Sequence, residues 1–326
     1  MDSEREGSSS AEVTTSVVTG AFGFSGQEIA KRLLVRRDKV RTLTNHPQPG
    51  SPLFGSVQVS PLDFANTEQL TESLRGASVL YNTYWVRFSY GDLGHECAVR
   101  NTKALIHAAE AARVRRIVHV SITNPSIDSP LPYFKGKAEL EQAIQSSSLS
   151  YAILRPAVLF GEGDILINNI AFMLKRFPVF AIPGSGGYHV QPIFVDDLAE
   201  LAIDSGQRSD SYTVDAVGPE TYTYLELVKM IRRAIGSKSL IVHLPAAIIR
   251  LASRVLGAIL KDVVLTEDEI KGLMGDLLVS HRPPTGRTSL ASWIKSRAET
   301  VGSTYASELA RHYLSGNSGQ NSRPAC

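Results

Sequence analysis

Cysteine is nearly absent from this chain: Cys97 and Cys326 are the only two in 326 residues. Two thiols build no disulfide framework and none of the multi-cysteine spacings that hold zinc or iron–sulfur clusters. His95-Glu96 shows no zinc-ligand spacing either, so no metal is expected. A reducing, cytoplasmic setting fits so little cysteine. Net charge is also small. Lys and Arg number 34 against 32 Asp and Glu, and no run of five or more cations occurs. Nucleic acid is therefore not an expected partner. Long uninterrupted apolar runs are missing too. Leu244 to Leu260 is broken by Arg250 and Arg254 and is too short to span a bilayer. Its apolar residues Ile248, Ile249, Leu251, Ala252, Val255, Leu256, Ile259 and Leu260 recur at helical spacing. Few cations line the polar strip, so a core or domain-interface helix is expected, with a membrane-surface helix as the alternative. No span is expected, while peripheral association is left open.

What is present is a globular pattern. Hydrophobic residues make up 43% of the chain, enough for a sizeable core. Residues 1–15 carry Asp2, Glu4, Glu6 and Ser8-Ser9-Ser10, without the basic start and apolar centre of a signal peptide, and read as a disordered tail. Residues 315–326, rich in Ser, Asn and Gly, read as a frayed one. Between them, short β-branched runs alternate with helical periods. Strands are expected at Val17-Val18, Val40 to Thr44, Val57 to Val59, Ser78 to Asn82, Arg116 to Ser121 and Tyr151 to Leu154. Helices are expected from Gln27 to Arg36, from Asn66 (an N-cap with Gln69 three residues on) to about Arg75, from Leu93 to Ala112, and from Phe134 to Gln145.

The expected class is α/β, a Rossmann-type doubly wound parallel sheet over residues 16–160. Gln191 to Val195 and Tyr212 to Val214, within 189–215, are expected as strands returning to that sheet. Residues 161–188 and 216–314 would form a smaller, interleaved substrate lobe.

Two local patterns carry chemistry. Thr19-Gly20-Ala21-Phe22-Gly23-Phe24-Ser25-Gly26 lies between an expected strand and an expected helix. Such glycines permit a tight turn and a close approach of backbone to pyrophosphate, while the helix start offers free N–H groups. An NAD site usually has an acidic residue near the end of strand two, but Arg41-Thr42-Leu43-Thr44-Asn45-His46 has none. That absence, with Arg41 and His46 nearby, tilts the cofactor toward NADP(H), with NAD as the alternative, although both side chains could equally be solvated. The second pattern is Tyr133-Phe134-Lys135-Gly136-Lys137. A spacing of four places Tyr133 and Lys137 on one helical face, where an ammonium could lower the phenol pKa toward working pH.

These patterns, with Leu62-Asp63-Phe64, YNTYW at 81–85, HVSITNPS at 119–126, LRPAVLFG at 154–161 and IFVDDLA at 193–199, resemble the extended and atypical short-chain dehydrogenase/reductase superfamily. The nearest likeness is to its epimerase/dehydratase-like branch, similar to the NAD(P)-binding accessory subunit of respiratory complex I. The resemblance implies that Asp63 and Phe64 meet the adenine, Asn82 and Thr83 line a ribose, and Arg155-Pro156 pass the nicotinamide amide. It implies Tyr133 as general acid/base, Lys137 as its partner on the nicotinamide ribose, and Ser121 orienting a substrate oxygen. Ser121 stands only twelve positions before Tyr133, closer than the family's usual spacing, so Thr123 or Ser126 are alternatives.

Tyr84, Trp85, Arg87 and Phe88 fall where the family's substrate pocket opens, with packing an equal reading. His281 to Arg287 is expected as a solvated loop, and Asp196-Asp197 as helix caps. The implied activity is hydride transfer at a carbon bearing oxygen on a small-molecule substrate, as net redox or within an epimerase or dehydratase cycle. The alternative is a non-catalytic NAD(P)(H)-binding scaffold or assembly factor. Oligomeric state is not legible.

Overall fold

Short buried strands rich in β-branched residues, alternating for the most part with amphipathic helices, favour a parallel sheet covered on both faces. The structure, a computed structural model, describes residues 14–45, 47–89 and 93–312. His46, and most of the two expected tails, lie outside the described residues. The first half of the chain runs β1 (Thr15–Thr19), α1 (Phe24–Val35), β2 (Lys39–Leu43), β3 (Gln58–Ser60), α2 (Thr67–Leu74), β4 (Val79–Asn82), α3 (His95–Ala111), β5 (Arg116–Val120), α4 (Pro132–Gln145) and β6 (Ser150–Pro156). It continues with β7 (Val158–Phe160), α5 (Leu166–Arg176), β8 (Val179–Pro183), β9 (His189–Val190), β10 (Pro192–Phe194), α6 (Val195–Gln207) and β11 (Tyr212–Ala216). The remainder is β12 (Tyr222–Thr223), α7 (Tyr224–Ala234), β13 (Leu240–Leu244), α8 (Ala246–Leu260), α9 (Glu267–Met274), α10 (Leu290–Ser296) and α11 (Glu308–His312).

Seven strands form one parallel sheet in the order β3-β2-β1-β4-β5-β6-β11. The chain leaves β1 toward one edge and returns to β4 on its other side, so the strand order reverses between them. In doubly wound sheets the carboxyl ends at such a reversal hold ligands. One face of the sheet packs Ile29, Leu33, Leu198 and Ala202 of α1 and α6. The other packs Leu70, Leu105, Ile106 and Ile144 of α2, α3 and α4. A separate core gathers Phe160, Ile170, Ile182, Leu227, Leu273 and Ile294 from the later elements.

Asn66 caps α2 as expected, its side chain accepting from Gln69 N at 3.0 Å. Three expectations change. The strand from Gln191 does not return to the main sheet: β10 pairs in parallel with β7, a strand the sequence did not suggest. Only β11 returns, beside β6. The helix over Leu244 to Leu260 forms, but Ile249 and Gly257 alone are buried in it. Asp196 and Asp197 open α6 without capping it. Asp196 takes both Nε and Nη2 of Arg32, at 2.6 and 2.8 Å. Asp197 accepts from Arg287 N and Thr288 N at 2.8 Å, at the end of the 281–287 segment, which is a largely exposed loop as expected.

Arg116 secures the far edge of the sheet. It is fully buried at the start of β5 and donates to Ser205 O at 2.7 Å, Asp210 O at 3.0 Å and the Ser150 hydroxyl. One guanidinium thus ties β5, β6, the end of α6 and the approach to β11. Methionine in its place would leave buried acceptors unpaired, each costing about 1–3 kcal/mol. Arg116→Met should lower unfolding free energy by about 3 kcal/mol in urea titration, and unchanged stability would contradict this role.

Candidate dinucleotide-binding site

The turn after β1 depends on Gly20, whose φ of +70° is a conformation L side chains rarely adopt. Gly23 N donates to Gly20 O at 2.8 Å, and Gln27 N to Gly23 O at 2.9 Å, so the turn runs directly into α1. The helix therefore begins at Phe24, three residues earlier than expected. A β-carbon on Gly26 would stand 2.2 Å from Gly20 O, so helix and turn touch backbone to backbone. Gly23 is the N-cap and brings no side chain to the first amides of α1. A backbone cradle that a β-carbon would fill, under an uncapped helix start, fits a pyrophosphate. Phe22 is buried behind the turn beside Phe54, with ring centroids 6.4 Å apart, and Ser25 is half-buried on the first helical turn.

Thr19 joins this turn to β4. Its hydroxyl accepts from Thr83 N at 2.8 Å and Tyr84 N at 3.1 Å and donates to Asn82 Oδ1 at 2.9 Å. Thr83 returns its own hydroxyl to Thr19 O at 2.5 Å. The Asn82 amide nitrogen meets His119 Nδ1 at 3.0 Å, so this expected ribose contact is fully buried with both ends of its amide engaged. Asn45 clasps Leu62, Nδ2 to the carbonyl at 2.5 Å and Oδ1 from the amide at 3.0 Å. That clasp sets Asp63, which accepts from Ala65 N at 2.9 Å, and Phe64, whose ring lies 4.9 Å from that of Tyr84. Arg41 is spent elsewhere: it donates to Ser73 O at 2.8 Å and Arg75 O at 3.2 Å at the end of α2. It therefore gives no support to NADP(H).

Tyr133, Lys137 and Glu141 follow one another at steps of four along α4, on one helical face. Lys137 is buried, donates to Val120 O at 2.8 Å and lies 4.4 Å from the centroid of the Trp85 ring. Burial pulls its pKa from 10.5 down to about 7, against the opposing pull of Glu141. Burial also raises the Tyr133 phenol, with Glu269 and Glu308 adding to the rise and Arg87 opposing it. The phenol is therefore raised where a lowering was expected.

Trp85 stands edge-on to Tyr133 at 5.5 Å and stacks on His95 at 5.8 Å. It can do so because a β-carbon on Gly136 would come within 3.0 Å of the indole. Its Nε1 is buried with no hydrogen-bond partner among the described residues.

Ser121 donates its hydroxyl to Glu141 Oε1 at 2.5 Å. Arg155 grips the same carboxylate, Nε at 3.0 Å from Oε1 and Nη2 at 2.5 Å from Oε2, and the Glu141 bond holds its pKa above the usual arginine value. Pro156 ends β6 with its carbonyl accepting from Thr123 N at 2.9 Å. The alternatives to Ser121 are engaged as well: Thr123 donates to Leu277 O at 2.8 Å, and Ser126 Oγ accepts from Asp128 N at 3.2 Å. Arg87, expected as a cation for a substrate anion, is paired with Glu269 at 2.5 Å and faces Glu308 at 3.8 Å. Tyr84 accepts at its hydroxyl from Asn101 at 3.0 Å.

Glu141 was missed in the sequence, although its position one further helical turn beyond Tyr133 and Lys137 carried the signal. No group of three or more His, Cys, Asp or Glu among the described residues is placed to hold a metal.

The Lys137 ammonium makes a pH prediction. Below about 7 folded and unfolded chains both hold its proton, and above 10.5 neither does; between these values the unfolded chain alone holds it. Stability contributed at this position therefore rises with pH across that window. Lys137→Met should abolish the rise in unfolding free energy, and a difference from the parent that stays flat across the window would contradict a depressed ammonium.

The sequence and structure have relatives. The family described as NAD(P)H-binding matches residues 20–169. The NADH-ubiquinone oxidoreductase 40 kDa subunit of Neurospora crassa is 29% identical over 298 residues, covering 86% of this chain and 76% of that protein. The photosystem II assembly factor Ycf39 of Cyanidium caldarium is 23% identical over 245 residues, covering 74% and 78% respectively. Among solved structures, the NADPH-dependent quinone oxidoreductase QOR2 of Escherichia coli, complexed with NADPH, superposes with a TM-score of 0.70 at 20% identity, over 86% of this chain and 99% of that one. With its seven-stranded parallel sheet and its glycine turn, the chain has an NAD(P)-binding, epimerase/dehydratase-like fold and is related in sequence to the complex I subunit and to Ycf39.

Proposed function

We propose that this protein binds a nicotinamide dinucleotide as a structural or sensing ligand within a protein assembly and does not turn it over. The observation that carries this reading is the Ser121 hydroxyl, bound to a buried carboxylate that Arg155 also grips. A serine in that bond is not free to orient a substrate oxygen. Lys137 is held by the Val120 carbonyl and the Trp85 ring, and burial keeps the proton on Tyr133. The relatives support the same reading, since one is named as a subunit of an oxidoreductase complex and another as an assembly factor.

The backbone of Gly20, Gly23 and Gly26 and the first amides of α1 would hold the pyrophosphate, with Asp63 and Phe64 at the adenine end and Thr83 toward a ribose. The bound cofactor supplies a carbon that can give or accept hydride. The missing acid after β2 favours NADP(H) over NAD(H). A second reading, an oxidoreductase or epimerase acting at a carbon bearing oxygen, is favoured by one observation: Lys137, with its pKa near 7, shares a helical face with Tyr133.

Fluorescence titration with NADPH and NADH tests binding, and NADPH oxidation with quinones, aldehydes and nucleotide sugars tests turnover. The expected outcome is binding without oxidation above the rate of free NADPH. Tyr133→Phe should leave affinity within about tenfold, and Gly26→Val should abolish binding through the clash with Gly20 O. Cofactor oxidation that Tyr133→Phe abolishes would overturn the proposal in favour of the second reading.

A further inference from the structure

Helix α8 turns its apolar residues outward. Ile248, Leu251, Val255 and Ile259 are 49, 64, 58 and 71% exposed, and their spacings of three, four and four residues place them in one stripe. The helix packs against β8, and its buried residues, Ile249 and Gly257, lie outside the stripe. From Lys238 to Lys261 the chain contains no Asp or Glu, while the exposed Arg254 borders the stripe on its Leu251 side and the exposed Lys261 follows as the C-cap of the helix. Arg250 shares Glu267 at 2.7 Å. Arg254 and Lys261 have no carboxylate partner among the described residues.

An apolar stripe bordered by cations, with no acid on the element, selects among occupants. A second copy packed through α8 would set the same cationic flank near its own image, with no carboxylate on the helix to answer it. An anionic bilayer surface satisfies both features. Apolar side chains enter the boundary between headgroups and acyl chains, and the cations stay among the phosphates. At 15 residues the helix is about 22 Å long, too short to cross a hydrocarbon layer of about 30 Å, so it would lie in the plane. We infer that α8 is a peripheral membrane anchor that binds anionic lipid surfaces through Ile248, Leu251, Val255 and Ile259, with Arg254 and Lys261 at the headgroups. Its exposed stripe carries none of the dinucleotide cradle, so the inference stands independently of the function proposed above.

The test is flotation of the full chain, saturated with NADPH, on vesicles of phosphatidylcholine alone and of phosphatidylcholine with about a quarter phosphatidylserine. The parent protein is expected to float with the anionic vesicles and at least about tenfold less with the neutral ones. Leu251→Gln/Val255→Gln and Arg254→Glu/Lys261→Glu should each reduce flotation by at least about tenfold, while circular dichroism and the NADPH titration match the parent. Absence of flotation on anionic vesicles would overturn the inference. So would flotation that neither variant reduces, or a dimer in solution that the Gln variant dissociates without any vesicle binding. A parent that fails to bind NADPH yet floats, with both variants impaired, would uphold the anchor and count only against the dinucleotide reading.

Discussion

A carboxylate taken out of water must be paired, and the pairing of Glu141 governs what the ends of β5 and β6 can do. Its two oxygens accept from Ser121 and Arg155, so one charge is neutralised and three polar side chains are satisfied together. Removing any one of them strands the others in a poorly solvating interior, which is costlier than the bond itself is favourable. The arrangement therefore resists being opened for chemistry. Lys137, one helical turn away, gains from Glu141 a pull toward its charged form, but burial outweighs it. The geometry of a proton-transfer group is present in outline, while its donors and acceptors face inward.

The nucleotide end is built differently. There the backbone supplies the cradle, through a left-handed glycine and a helix start without a side-chain cap, and the Thr19 hydroxyl ties the end of β1 to that of β4. None of these groups is exchanged for a side-chain ion pair. An open backbone cradle and a closed side-chain cluster thus stand within one sheet edge.

The order of legibility in the sequence follows the range of the interactions involved. The glycine turn, the Asn66 cap and the six early strands are set by neighbours within a few residues, and their positions can be read directly. Pairing partners cannot. Val158–Phe160 is too short to announce a strand, and it forms one because Pro192–Phe194 lies alongside it. The fates of Arg41, Arg87 and Ser121 were hidden for the same reason, since each is settled by a partner 20 or more residues distant. The outward stripe of α8, expected as a core or domain-interface helix with a membrane surface as the alternative, was not legible because hydrophobic periodicity reports that a face is apolar, not which way it points.

The place of β11 has a consequence for how the chain is made. The sheet from β3 to β6 is composed of residues 15–156, but its last strand is drawn from residues 212–216. Until the ribosome has passed that point, β6 presents a bare edge of amides and carbonyls beside a largely finished domain, the kind of edge that recruits strands from other chains. The intervening residues, which supply β7 to β10 and the start of the second core, must be threaded out and back before the edge is covered. A nascent chain cut short near residue 169 would hold the whole glycine cradle and still be sticky along one side. The nucleotide-binding sheet is thus completed only after the first elements of the second lobe, β7 to β10, have been made, and before the rest of that lobe follows.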